Sequence, residues 1–178
     1  FNSNGQLGYG QSNHQGDGPN EMGDDLPSVD LGTGKTAQAV AVGYVHTCAV
    51  LTSGEVKCWG YNIFGQLGYG DTKWRGDKTG DMGDALPTVD LGTGKIATAL
   101  SLGYAHSCAV LNDDWLKCWG NNGFGQLGYE DTVQRGDGPD EMGDDLTAVD
   151  LGAGRTVTAV TSGEFHNCAM LDNGDVKC

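Results

Sequence analysis

Positive charge is scarce in this chain, and so is long apolar sequence. Ten Lys and Arg stand against 24 Asp and Glu, a formal net charge of −14, which disfavours nucleic acid or an anionic membrane surface as a partner. No apolar run approaches the ~20 residues of a spanning helix, so membrane insertion is not expected. No Asn-x-Ser/Thr sequon occurs, so N-glycosylation of this stretch is not expected. Also absent are the Asp-x-Asp-x-Asp-Gly order of an EF-hand and the closely spaced cysteines of a zinc knuckle. No Ser-His-Asp or paired-carboxylate set stands out from its surroundings, so neither an enzyme nor a cofactor is expected. An initiator Met and a signal peptide are missing too, and the sequence reads as a piece of a longer chain.

What is present is repetition. Gly43 to Gly60, GYVHTCAVLTSGEVKCWG, returns as GYAHSCAVLNDDWLKCWG at Gly103 to Gly120 and, shortened, as GEFHNCAMLDNGDVKC at Gly163 to Cys178. Positions 1, 61 and 121 are equivalent, which divides the chain into repeats 1–60, 61–120 and 121–178.

Each copy reads as a β-hairpin. Ala49-Val50-Leu51 leads into the polar turn Thr52-Ser53-Gly54, and Val56-Lys57-Cys58-Trp59 leads out. If Leu51 faces Glu55 across a three-residue loop, Val50 faces Val56 and Cys48 falls opposite Cys58. The third loop position needs a left-handed backbone and holds Gly54, Asp114 and Gly174, which tolerate it. Opposed cysteines in an antiparallel pair are within disulfide reach. Bridges are therefore expected for Cys48 with Cys58, Cys108 with Cys118 and Cys168 with Cys178, each worth about 2.5–3 kcal/mol in the chain-entropy model. Six paired cysteines imply an oxidising compartment, extracellular or at the cell surface. His46, two residues before Cys48, invites a metal reading, but structural histidines bonded to backbone are the expectation for His46, His106 and His166.

Between hairpins, Gly5 to Tyr9 (GQLGY) and its copies read as a tight turn burying Leu7. A polar loop follows, Gln11 to Asp25, and it is expected to be ordered, pinned by Met22 and Leu26. Asp17, Glu21, Asp24 and Asp25 in this loop could gather a Ca²⁺ ion; the plainer reading is that they keep the repeat soluble. Arg75-Gly76-Asp77 and Arg135-Gly136-Asp137 spell an adhesion tripeptide. Since the first copy has Gln15 before Gly16-Asp17, turn chemistry is the default. Trp74 and Trp115 are copy-specific aromatics, and with Arg75, Asp77, Arg135 and Asp137 they are the candidate interface residues. Leu26 to Leu31 (LPSVDL) reads as an outer strand in which Pro27 is tolerable. Ala37 to Val42 (AQAVAV) reads as an inner strand of small residues suited to a crowded centre. Four strands per repeat describe a propeller blade or a solenoid coil.

The run G-x-x-H-x-C-A-x-L, then K-C-W-G, then N-x-x-G-Q-L-G resembles the RCC1-like (regulator of chromosome condensation 1) repeat along the whole chain. The matching residues are Gly43, His46, Ala49, Leu51, Trp59, Gly60, Asn62, Gly65, Gln66, Leu67 and Gly68, with their copies. The resemblance implies an all-β propeller, commonly seven-bladed, of which this chain supplies about three blades. The cysteine pairs resemble the secreted branch of such repeats. A non-enzymatic protein- or glycan-binding module, or a structural assembly, is the expected function. Its partners would be other proteins, further copies of itself or other repeats of a parent chain. A guanine-nucleotide exchange factor or a secreted enzyme inhibitor of the same fold is the alternative. Open edges at both ends predict that the 178-residue chain self-associates when isolated.

Overall fold

Runs of Val, Ala and Thr on either side of each polar turn form the strands, and residues at positive φ close the turns between them. The computed structural model describes residues 1–178. Repeat 1 contributes β1 (Ala37–Val42), β2 (His46–Leu51) and β3 (Val56–Gly60). Repeat 2 contributes β4 (Ala97–Leu102), β5 (His106–Leu111) and β6 (Leu116–Gly120), and repeat 3 contributes β7 (Val157–Ser162), β8 (Asn167–Leu171) and β9 (Val176–Lys177). These make three antiparallel sheets in the orders β1-β2-β3, β4-β5-β6 and β7-β8-β9. They are successive blades of an all-β, RCC1-like propeller.

The hairpins have the register read from the sequence. Cys48 faces Cys58 and Val50 faces Val56. The Leu51 amide donates to the Glu55 carbonyl at 2.8 Å, and the Gly54 amide to the Leu51 carbonyl at 2.8 Å. The third loop residue is left-handed in all three copies: Gly54 at φ 82°, Asp114 at 63° and Gly174 at 85°. The three disulfides join the expected pairs, and no cysteine is free.

The outer strand expected at Leu26 to Leu31 does not form. A 3-10 turn, Gly83–Ala85, leads in repeat 2 into the equivalent extended segment, 86–91, which touches the edge of β3 through one bond, Val89 N–H to Val56 O at 2.8 Å. The reason lies in where the other polar groups of that edge go. The Tyr69 hydroxyl accepts from the Cys58 amide at 2.8 Å and donates to the Cys58 carbonyl at 2.9 Å. Gly60 exchanges both backbone bonds with Arg75, at 2.7 and 3.2 Å. Three separate pieces of chain thus satisfy β3 where a fourth strand would otherwise be needed. On the segment itself, the Asp90 carbonyl is taken by Gly143 and the Leu91 carbonyl by Lys117 Nζ. Blade 2 repeats the arrangement with Val149, Tyr129 and Arg135 against β6.

The first strands β1, β4 and β7 lie innermost and touch one another from blade to blade. β1 is largely exposed, Val40 and Val42 included, so the crowding expected around Ala37 to Val42 is absent. The core sits between blades. Cys48, Val50, Val56 and Cys58 pack with Leu67, Val89, Leu91, Leu111 and Trp119 of the next repeat's approach and sheet, and Cys108, Val110, Leu116 and Cys118 pack likewise with Leu127, Val157 and Leu171. Each disulfide of blades 1 and 2 is therefore part of a blade-to-blade interface. The pins of the long loop differ by copy: Leu86, Met142 and Leu146 are buried, whereas Met22 is exposed and Leu26 only half-buried.

Candidate functional site

Recurrence in all copies marks either function or architecture, and the buried histidines show which. His46 is fully buried, and its Nε2 lies 2.8 Å from Ser107 Oγ in the next blade. That hydroxyl donates its one proton to the Gln66 carbonyl at 2.8 Å, so His46 Nε2 is the donor and the ring is the Nε2–H tautomer. Burial pushes its pKa down to about 3. His106 repeats the contact, donating to Asn167 Oδ1 at 3.0 Å, while Asn167 Nδ2 donates to the Gln126 carbonyl at 2.7 Å. The histidines are thus structural, but their partner is a side chain of the following blade rather than backbone. His166 is exposed.

The Gln66 carbonyl also accepts Trp119 Nε1 at 3.0 Å, and the Gln6 carbonyl accepts Trp59 Nε1 at 3.0 Å and Thr47 Oγ1 at 2.8 Å. The Gly-Gln-Leu-Gly turn is the socket into which the next hairpin plugs. Asn62 and Gln66 hold that turn in shape through Leu67 N–H to Asn62 Oδ1 at 2.9 Å and Phe64 N–H to Gln66 Oε1 at 3.0 Å. Lys57 of the Lys-Cys-Trp-Gly run points its ammonium at the carbonyls of Leu31 and Gly83, both at 2.8 Å, and burial lowers its pKa. In blades 1 and 2 the polar side chains His, Lys, Trp, Asn and Gln of the shared pattern each hold a structural bond.

The Arg-Gly-Asp arginines are held inside the chain. Arg75 forms a two-bond fork with Asp71 at 2.9 and 2.8 Å and lies 4.4 Å from the centroid of the Tyr69 ring. Arg135 does the same with Asp131, at 3.0 and 2.7 Å, and with the Tyr129 ring at 4.2 Å. The fork draws Asp131 down to about 2. Asp77 and Asp137 are half-buried; burial first, then Glu141, raises the Asp137 pKa.

Of the calcium candidates, Glu21 turns its carboxylate onto the amides of Gly16, Asp17 and Gly18, at 2.8, 2.9 and 2.8 Å. Those bonds, Gly18's first, lower its pKa. Asp17, Asp24 and Asp25 are exposed, and no group of three or more His, Cys, Asp or Glu side chains is placed to hold a metal ion. Copies of Asp24 show what the position does. Asp84 caps Thr33 of the preceding repeat through N–H at 2.8 Å and Oγ1 at 2.7 Å, and Asp144 caps Thr93.

Exposed large side chains gather on two rims. At the end of the β2–β3 turns, ion pairs close each blade, Lys35 with Glu55, Lys95 with Asp113 and Arg155 with Asp172, and Trp115 stands among them 57% exposed. At the opposite end, rings meet. Tyr44 stacks on Tyr104 at 4.9 Å, Tyr104 meets Phe165 at 5.6 Å, and Phe165 meets Phe124 at 5.4 Å. Trp74 packs on Tyr61 at 4.9 Å on the same rim. The sequence singled out Trp74 and Trp115; it missed Tyr44, Tyr104, Phe124 and Phe165, because residues about 60 apart become neighbours only when blades stack side by side.

Comparison with known proteins agrees with this geometry. The repeat described as "Regulator of chromosome condensation (RCC1) repeat" matches residues 37–66 and 97–126. The chain is 31% identical to the Ultraviolet-B receptor UVR8 of Arabidopsis thaliana over 97% of its own length and 34% of that protein. It is 38% identical to the human probable E3 ubiquitin-protein ligase HERC4 over 54% of its own length and 8% of that protein. The crystal structure of human WBSCR16 superposes with a TM-score of 0.71 at 19% identity, covering 99% of this chain and 40% of the other. The chain spans about a third of UVR8 and far less of HERC4. With its sockets, its bridged hairpins and these likenesses, the chain carries RCC1 repeats, matched at residues 37–66 and 97–126, in a form whose hairpins each carry a cysteine pair.

Proposed function

We propose that the chain is a non-enzymatic propeller module, built from repeats 1–60, 61–120 and 121–178, that binds other proteins outside the cell or at its surface. One observation carries this reading: the buried side chains shared by the repeats are occupied in shaping the turns and joining blade to blade, which leaves the exposed rims to meet a partner. A recess of about 440 Å³ between Phe124, Leu127, Val149 and Phe165 fits the reading as well. Of its polar lining, Asn167 and Lys177 are committed to the carbonyls of Gln126 and Leu151. The three disulfides support an oxidising setting. Among fold neighbours, yeast RCC1 (Prp20) is bound to Kap60, which supports protein binding as a use of the fold.

The experiment places a photo-crosslinking residue at Trp115 and, separately, at Tyr44, in protein purified without reductant and returned to its native surface fraction. A saturable protein adduct at either rim, competed by unlabelled chain, is expected. No adduct at either rim, thiols fully alkylated before reduction, or nucleotide release from a small GTPase would overturn the reading.

A further inference from the structure

The two rims differ in chemistry, and the difference points to what one of them receives. Arg75 and Arg135 are already forked to Asp71 and Asp131, while Glu164, next to Phe165 in the chain, is exposed and without an ion pair. Lys73 is the one cation of this rim without an ion pair. Tyr44 is 69% exposed, Phe124 76% and Phe165 44%, while Tyr61, Trp74 and Tyr104 are half-buried, so exposed ring surface runs along a line that crosses all three blades.

Resting on the protein-binding reading, we infer that the rim formed by Tyr44, Tyr61, Trp74, Tyr104, Phe124 and Phe165 docks an extended arginine-rich segment of a partner protein. Charge selects a cation. A second copy of this chain brings another −14, which disfavours it as the occupant of this rim. Aromatic faces then select arginine over lysine, because a guanidinium lies flat on a ring and still donates in its own plane to a carboxylate. The chain already uses that unit twice internally, in the Tyr69–Arg75–Asp71 and Tyr129–Arg135–Asp131 sandwiches. The rim offers the same two components, rings and an unpaired carboxylate at Glu164, without the arginine.

The test is fluorescence anisotropy of a labelled twelve-residue Arg-Ser repeat peptide, and of its Lys-Ser counterpart, with the disulfide-intact chain near physiological salt. The arginine peptide is expected to bind about fivefold or more tightly than the lysine peptide. Tyr44→Ala combined with Phe124→Ala should weaken it about tenfold, at unchanged net charge. Tyr44→Phe should retain binding, and Asp24→Asn with Asp25→Asn, remote from the rings, should shift it less than about twofold. Equal binding of the two peptides, or loss that follows net charge rather than ring content, overturns the proposal. If a partner crosslinks at Trp115 while the arginine peptide ignores the rings, the rim assignment falls and the protein-binding reading stands.

Discussion

A buried histidine that cannot take a proton sets how this protein responds to acid. His46 titrates near its ordinary value of 6.5 when unfolded and at about 3 when folded, and burial lowers His106 as well. Between those values the unfolded chain holds a proton that the folded chain refuses. Stability is therefore full above about pH 6.5 and falls as the pH drops towards 3, by up to about 1.4 kcal/mol per pH unit for each such histidine. Urea midpoints between pH 6.5 and 5, where most carboxylates stay ionised, should fall in the parent and fall less in His46→Gln; parallel slopes would contradict the buried assignment. Tyr69 is the second residue whose role is specific. Its hydroxyl serves both backbone groups of Cys58, and burial holds its pKa up. Tyr69→Phe strands a donor and an acceptor at the β3 edge and should cost about 1–3 kcal/mol of unfolding free energy. A midpoint unchanged from the parent would mean that water serves that edge equally well.

At the scale of elements, the hairpin was readable in the sequence and the blade edge was not. Cys48, Gly54 and Cys58 lie within one turn of chain, so local chemistry sets their register, and the structure has that register. The outer strand was misread because LPSVDL alternates like a strand, whereas its Asp30 and Leu31 carbonyls bond the Gly83 amide and Lys57 Nζ, at a distance no local pattern encodes. The histidine partner was hidden for the same reason, 61 residues away in Ser107. Two variants probe these elements. Replacing Cys108 and Cys118 together by Ser should lower stability by about 2–3 kcal/mol and loosen Val110, Leu116 and Leu127, which pack against that bridge; amide exchange confined to another blade would contradict this. Gly65, at φ 73°, would place a Cβ 2.3 Å from the backbone of Asp137. Gly65→Ala should therefore cost about 3 kcal/mol, and a thermal midpoint within a degree of the parent would refute so close an approach.

At the scale of the molecule, repetition divides the work. Shared residues join blade to blade through the Gln66 socket, the Asp84 cap and the Lys57 strap, and the exposed rim side chains Tyr44, Phe124 and Trp115 lie outside those joints. Trp74 and Trp115 were visible as exceptions to the repeat. The ring ladder was not, since Tyr44, Tyr104 and Phe165 look like ordinary turn residues until the blades bring them together. The most direct test compares unfolding free energies of two sets of variants under one set of conditions. Ser107→Ala and Trp119→Phe break the socket; Tyr44→Ala, Phe124→Ala and Trp115→Ala strip the rims. The account predicts losses of about 1–3 kcal/mol for the first set and less than about 0.5 kcal/mol for the second. Rim variants that unfold the chain, or socket variants as stable as the parent, would contradict the division of labour on which the functional reading stands.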